Sequence, residues 1–302
     1  MGNPHHHRDP EQHAYAIARA VDTAWNTANS SGRRDVALSV VAGLSLLTRR
    51  APEGPDPCSF VRAQSPQEFT STLREVYTML INSRPELIHL LFPLMGWLFR
   101  DPDPAVQQAA KQVAETALGQ GQLALTGTTD RYETDLLGMV LTVLKSHTAS
   151  RANAQVYTPT SVAELLTRMN PPQEGQTVHD TAVGTGGLFR AAAQVMREHG
   201  RDPTTVIWCG ADIDDLAIAA CAINSLLWNL GPHMLLCVAN TLTEPDWISR
   251  AQAHRAEIMQ LADTVRRDKA RLRAVERLVN PAWQDSAEAF SCRDDEPPAS
   301  SP

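Results

Sequence analysis

A glycine-rich stretch between a predicted strand and a predicted helix constrains the fold of this chain more than any other feature. Residues 178–189 read V-H-D-T-A-V-G-T-G-G-L-F. A strand-like segment, Gln176–Asp180, precedes the glycines, and a helical pattern, Leu188–His199, follows them. Two more short apolar segments, Thr205–Gly210 and Met234–Ala239, are separated by a further helical pattern. Strands that alternate with helices of this length predict an α/β fold with a parallel sheet.

The same loop limits the ligand that it can bind. A dinucleotide fingerprint, G-x-G-x-x-G, would place a third glycine at position 189, where the chain has Phe189. Asp212 ends the second predicted strand, where a carboxylate can accept hydrogen bonds from ribose hydroxyls. The order strand, Asp180, glycine loop, helix, strand, Asp212 therefore favours an adenosine-containing cofactor. The alternative is a purely structural strand-to-helix turn beside a chance aspartate.

Composition and charge exclude several classes of function. No lysine follows a glycine, so the G-K-[ST] loop of P-loop nucleotide hydrolases is absent. A net charge of -7 over 302 residues argues against a purely electrostatic nucleic-acid binder. Five cysteines without a C-x-x-C pair predict reduced, mostly buried thiols, and we expect no metal site. The longest apolar run, Leu87–Phe99, is too short for a bilayer, and the chain starts without an apolar signal, so we expect a cytoplasmic protein without membrane contact.

Four segments with different patterns follow one another along the chain. Residues 1–128 predict a helical N-terminal domain, read as a packing or partner-binding module, with a proline-rich loop over Arg49–Gln67 and a buried helix over Leu87–Phe99. Residues 129–247 carry the strands and the glycine loop. Residues 248–283 predict a long amphipathic helix, with eight basic and four acidic residues between Ser249 and Arg277, and residues 284–302 predict a disordered tail.

Five short motifs stand in a fixed order around the glycine loop. The chain reads T-D-L-L-G from Thr134, Q-V-Y-T-P from Gln155, D-T-A-V-G-T-G-G from Asp180, an acidic Asp212, and A-N-T-L from Ala239. This ordered set resembles the modification subunit of type I restriction-modification systems and related adenine-specific (N6) DNA methyltransferases. Asn224 also matches an asparagine of that family. Thr181 and Val183 replace its usual proline and cysteine, and Asn240 replaces an aspartate.

The resemblance implies a Rossmann-like parallel sheet that binds S-adenosylmethionine, abbreviated after the third strand. It implies that Asp180 and the loop amides hold the amino-acid end of the cofactor, that Tyr157–Pro159 closes over that end, that Asp212 accepts from the ribose, and that Asn240 lies at the adenine amine. The full set of cofactor-binding residues that it implies is Tyr157, Thr158, Pro159, Asp180, Ala182, Gly184, Thr185, Gly186, Gly187, Asp212 and Asn240.

The catalytic motif of the resembling family, [DNS]-P-P-[YFW], has one candidate here, N-P-A-W at 280–283. By resemblance, Asn280 and the carbonyl of Pro281 would accept the hydrogens of the adenine amine, while Trp283 would stack on the flipped base. Ala282 replaces a proline, and the preceding Arg271–Leu278 has a helical pattern where the family has a strand. The alternative is that N-P simply marks the end of a helix.

Two functions from different classes are therefore expected. The first is DNA methylation at the exocyclic amine of adenine, with DNA contact that is weak or assisted by a specificity subunit or another protein partner. The second is a catalytically inactive cofactor-binding module that regulates or scaffolds a DNA-modification system. A remnant that binds neither cofactor nor DNA is a third alternative, disfavoured by the intact loop residues Asp180 and Gly184–Gly187.

Overall fold

A computed structural model of the chain describes residues 9–28, 32–47, 56–146, 158 and 160–279. It divides at Ala253 into two units. In the described part of the chain, the first unit contains the sheet, eleven helices and the first turns of a long final helix, and the second unit begins within that helix. The helices of the described residues are α1 Pro10–Ala28, α2 Arg34–Ser45, α3 Pro57–Ala63, α4 Pro66–Ser83, α5 Ile88–Met95, α6 Pro104–Gly119, α7 Gln122–Thr126, α8 Leu136–Ser146, α9 Thr160–Met169, α10 Gly187–Glu198, α11 Asp215–Leu227 and α12 Trp247–Val279.

Three parallel strands form the sheet of the described residues: β1 Thr177–Asp180, β2 Ile207–Asp212 and β3 Met234–Val238, in the order β1-β2-β3. Asp180 pairs with Gly210, and Asp212 pairs with Val238, so the carboxyl ends of the strands lie at one edge. Helix α10 connects β1 to β2, and α11 connects β2 to β3. The predicted α/β fold with a parallel sheet is confirmed.

Side chains of β2 alternate between two hydrophobic clusters, as the pleat of a strand requires. Trp208 belongs to the main core, while Cys209 and Ala211 belong to a smaller cluster on the other face. Trp247 and Ala251, from the first turns of α12, cover that smaller cluster. A sheet covered on both faces explains why β2 is an apolar run rather than an alternating strand.

The main core is continuous from the N-terminal helices to the sheet. It includes Ala14 and Ile17 of α1, Leu137 of α8, Ile218 of α11 and Leu236 of β3. Helix α1 packs on α8, and α5 packs on α11. The helices that precede residue 128 therefore share one hydrophobic core with the helices around the sheet; the predicted domain boundaries themselves stay a prediction.

Two local predictions are wrong. The predicted loop over Arg49–Gln67 contains the helix α3, because Asp56 caps its first amides and Pro57 stands in its first turn, where the missing N–H costs nothing. The predicted buried helix over Leu87–Phe99 is interrupted by 3₁₀ turns on both sides of α5. Phe92 and Phe99 on it are about half exposed.

The second unit, taken by itself, is described as far as residue 279 and consists of the greater part of α12. Three of its apolar side chains, Leu261, Leu272 and Val275, are exposed. Pairs three residues apart, such as Arg266 with Asp263 and Arg271 with Asp268, link neighbouring turns along its surface. The predicted long C-terminal helix is confirmed.

Candidate cofactor-binding site

The glycine loop lies at the carboxyl ends of β1 and β2, which is where parallel α/β sheets bind ligands. Asp180 is the last residue of β1, and Gly186 immediately precedes α10. Gly184 and Gly186 have φ of 54° and 96°, values that side chains disfavour. A Cβ on Gly186 would also approach the ring of Trp228 to 3.0 Å, so glycine at this position serves both the dihedral and the packing.

Asp212 holds the loop from the end of the neighbouring strand. Its Oδ2 accepts a hydrogen bond from the Gly184 amide at 2.8 Å, and its Oδ1 accepts from the Asp214 amide at 2.9 Å. The Val183 amide donates to the carbonyl of Ala211 at 2.9 Å. Each carboxylate oxygen retains a further acceptor position, so Asp212 can fix the loop and still bind a hydroxyl donor.

A buried polar network fixes the other side of the loop. Thr185 Oγ1 donates to Oδ2 of Asp135 at 2.5 Å, while the Asn224 amide donates to Oδ1 of Asp135 at 2.8 Å and to the carbonyl of Thr185 at 2.9 Å. Asp135 directly precedes α8 and also accepts from the Gly138 amide at 2.8 Å, so it caps that helix. The network joins α8, α11 and the loop through a single carboxylate.

Gly138 allows this network to form. A Cβ at this position would lie 2.5 Å from Thr185 Oγ1 and 2.7 Å from Cγ of Asp135, closer than real contacts allow. The absence of a side chain in α8 therefore lets the helix and the loop approach each other.

Carboxylates give the site its electrostatic character. Burial raises the pKa of Asp135, and the hydrogen bonds from Thr185, Gly138 and Asn224 oppose that shift. Burial also raises the pKa of Asp180, and the negative charge of Asp212 adds to the rise. A positively charged ligand would lower the pKa values of both aspartates, because it would stabilise the ionised carboxylates.

A cavity of about 440 Å³ opens beside the loop, within the range of small-molecule sites. Five carboxylates and one guanidinium line it: Glu11, Glu133, Asp135, Asp180, Asp212 and Arg190. Arg190 already donates to the carbonyl of Tyr132 and to Gln194. The lining therefore favours a cationic ligand over a phosphate, and it fits the sulfonium and ammonium groups of S-adenosylmethionine better than the pyrophosphate of a dinucleotide.

The structure brings several of the predicted cofactor residues together. Thr158, Asp180, Ala182, Gly184, Thr185, Gly187 and Asp212 line the cavity. Gly186 lies at the start of α10, outside the lining, and Asn240 is exposed in the turn after β3, where its side chain accepts from the Leu242 amide. Thr241, next to Asn240, donates to the carbonyl of Thr181 in the loop at 3.1 Å. Tyr157, Pro159, Asn280, Pro281 and Trp283 lie outside the described residues.

Sequence reasoning missed part of the site. Asp135 and Asn224 were matched to motifs, but nothing in the sequence showed that both contact Thr185. Glu11 and Tyr15 line the cavity from α1, although the N-terminal half was expected only to pack or to bind partners. One signal in the sequence pointed to a contact of Asn224, because it is a polar residue among the apolar residues of a predicted helix. A buried amide needs hydrogen-bond partners.

Neither a metal centre nor a membrane span emerges from the described residues. No group of three or more histidine, cysteine, aspartate or glutamate side chains is arranged to hold a metal ion there. None of the described helices is both long enough and apolar enough to cross a bilayer.

Comparison with known proteins supplies the family. The N-6 DNA Methylase family model matches residues 132–284, half of the chain. No curated protein matches. Among solved structures, the chain is similar to the methyltransferase subunit of a type I restriction-modification system from Streptococcus thermophilus, with 18% identity and a TM-score of 0.43, over 78% of this chain and 60% of that one. The chain thus spans less than two thirds of that subunit. By the match over residues 132–284, the chain belongs to the N-6 DNA methylase family.

Proposed function

We propose that this chain binds S-adenosylmethionine in the cavity beside the glycine loop and transfers its methyl group to the exocyclic amine of adenine in DNA. The observation that carries the proposal is the loop itself, which Asp212 holds on one side and the Asp135–Thr185–Asn224 network holds on the other. Family membership implies S-adenosylmethionine as the methyl donor. The carboxylate-rich lining supports a cationic cofactor.

Each residue of the site has a proposed role in binding. Asp180 would hold the amino-acid end and the sulfonium region together with the amides of Gly184–Gly187, apart from those of Gly184 and Gly186, which donate to Asp212 and to the carbonyl of Val183. Asp212 would accept from the ribose through the acceptor positions that the Gly184 and Asp214 amides leave open. Tyr157–Pro159 would close over the amino-acid end of the cofactor. Asn240 would accept a hydrogen bond from the amine of the cofactor's own adenine.

The bound cofactor supplies an electrophilic methyl group, and the chain supplies position and hydrogen bonds. The adenine amine is a weak nucleophile because its lone pair is delocalised into the ring. In our proposal, Asn280 Oδ1 and the carbonyl of Pro281 accept the two amine hydrogens and so localise the lone pair. Trp283 stacks on the extruded base.

DNA contact requires positive charge in an acidic protein. We propose that the basic residues of α12, such as Arg267, Lys269 and Arg273, contact phosphates, with a specificity subunit or another partner adding affinity. The same proposal includes a role in restriction-modification and a cytoplasmic location. It also includes the predicted division of the chain into residues 1–128, 129–247, 248–283 and 284–302.

One observation favours the second candidate function, a cofactor-binding module without catalysis. Helix α12 continues to Val279, so the residues that lead directly to Asn280 form a helix. The resembling family has a strand there, whose end fixes the catalytic asparagine. A module of this kind would bind S-adenosylmethionine and act on a DNA-modification partner.

Calorimetry with S-adenosylmethionine tests the shared part of both candidates. We expect binding to the wild type, and Asp180→Ala should weaken it strongly because the variant loses a carboxylate that lines the cavity. Asp215→Ala, which removes an exposed aspartate three residues beyond Asp212, is the matched control and should bind like the wild type. No heat of binding to the wild type at high cofactor concentration would refute both candidates.

Transfer of a labelled methyl group to adenine-containing DNA separates the two candidates. The methyltransferase proposal predicts labelled DNA with the wild type and none with Asn280→Ala. If the wild type binds the cofactor but never labels DNA, with or without added specificity subunit, the inactive module is the correct function.

A further inference from the structure

Helix α1 carries side chains from the predicted N-terminal domain into the cofactor cavity. Glu11 and Tyr15 are four residues apart, so they lie on one face of the helix, and both line the cavity. The neighbouring face of the helix is buried in the main core through Ala14, Ile17 and Ala18. Tyr15 is half exposed, as expected for a side chain at the rim of an open cavity.

Glu11 makes a specific contact across the cavity. Its Oε1 accepts a hydrogen bond at 3.0 Å from Oγ1 of Thr160, a residue 149 positions away in the sequence. Thr160 is the first residue of α9, and it directly follows the segment Tyr157–Pro159. The contact therefore ties the start of α9 to α1.

Helix α1 is a fixed support for this contact. The ring nitrogen Nε2 of His13 lies 2.7 Å from the carbonyl of Gln120, at the end of α6. Ile17, Ala18 and Val21 are fully buried. Shifting α1 would disrupt this packing, so the helix keeps Glu11 in place. The hydrogen bond from Thr160 to Glu11 therefore restrains Thr160.

We propose that Glu11 is a positioning residue for cofactor binding. By holding Thr160, it fixes the start of α9 at the rim of the cavity, which both Thr158 and Thr160 line. The N-terminal helices are thus part of the cofactor site, and not only a packing or partner module. The inference rests on the proposed function, since it concerns the affinity of the same site for S-adenosylmethionine.

Calorimetry with S-adenosylmethionine on a double-mutant cycle tests the contact. Glu11→Ala removes the acceptor, and Thr160→Val removes the hydroxyl donor while keeping a branched side chain. Each should weaken binding on the order of tenfold, the effect of one lost hydrogen bond to a charged group. The double variant should be no weaker than the singles, because both changes break the same bond.

Two further variants separate positioning from general structure. Glu11→Gln keeps an oxygen acceptor for Thr160 and should restore most of the affinity. Glu75→Ala, which removes an exposed glutamate of α4, is the matched control and should bind like the wild type. Without cofactor, the Glu11 and Glu75 single variants should have the unfolding midpoint of the wild type, since both side chains are exposed.

The outcomes are distinct for the two proposals. A wild type that binds no cofactor refutes the proposed function. A wild type that binds, with Glu11→Ala of unchanged affinity, overturns only the positioning role. That role is also overturned if the two single effects add in the double variant, or if affinity falls only together with the unfolding midpoint.

Discussion

Replacing Gly138 by alanine tests the close approach between α8 and the glycine loop. The new Cβ would lie 2.5 Å from Thr185 Oγ1 and would also meet Oδ2 of Asp135. These two oxygens form the hydrogen bond that holds the loop. The methyl group can be accommodated only if α8 moves or if Thr185 releases Asp135.

The magnitude follows from opposing effects. Overpacking a core position costs about 1–3 kcal/mol. Losing the hydrogen bond from Thr185 to the Asp135 carboxylate costs about 1.5–3 kcal/mol. Alanine in place of glycine inside a helix returns about 1 kcal/mol. The two costs together, less this gain, predict a fall of about 1.5–5 kcal/mol in the free energy of unfolding. Binding of S-adenosylmethionine should weaken as well, because the loop loses its support.

Thermal and urea unfolding, monitored by circular dichroism, measure this change. Gly119→Ala is the matched control. Gly119 also belongs to a helix, as the last residue of α6, but a Cβ there would meet nothing within 4 Å. We expect that control to be unchanged or more stable by up to about 1 kcal/mol. If Gly138→Ala is as stable as Gly119→Ala, the close packing of α8 on the loop is refuted.

Three further predictions concern the same unit. Asn224→Leu removes one of the three donors to Asp135 and the amide donor to the carbonyl of Thr185, and it should lower the free energy of unfolding by about 2–4 kcal/mol in urea titrations; an unchanged midpoint would contradict the network. Because burial raises the pKa of Asp180, the folded protein keeps a proton that the unfolded chain releases as the pH rises above the usual pKa of an aspartate. This group therefore lowers the stability of the folded protein as the pH rises. Asp180→Asn should therefore gain stability relative to the wild type as the pH rises above the usual aspartate pKa of about 4, and a constant difference would refute the shift. Trp247→Ala exposes the second face of the sheet and should cost about 3–5 kcal/mol of unfolding free energy; a loss below about 1 kcal/mol would show that α12 does not cover the sheet.

Local patterns predicted much of the fold. The strands near Gln176–Asp180, Thr205–Gly210 and Met234–Ala239 were predicted within a few residues of β1, β2 and β3, because apolar runs bounded by turns are a local signal. The prediction of helices was wrong at Pro57–Ala63, where the Asp56 cap and the proline in the first turn allow a helix among the surrounding prolines. It was wrong again around α5, where 3₁₀ turns lie on both sides of the helix.

The sequence by itself determined the glycine loop, its place between a strand and a helix, and the acidic residues at the two strand ends. These features depend on residues that are close along the chain, and on dihedrals that glycine adopts and other residues avoid.

Only the tertiary structure decided what holds the loop and what surrounds the cavity. Asp135, Thr185 and Asn224 come from α8, the loop and α11, and Glu11 reaches Thr160 from a helix 149 residues earlier. No periodicity or motif spacing encodes such pairs, because contacts between distant residues arise from the packing of whole helices against one core.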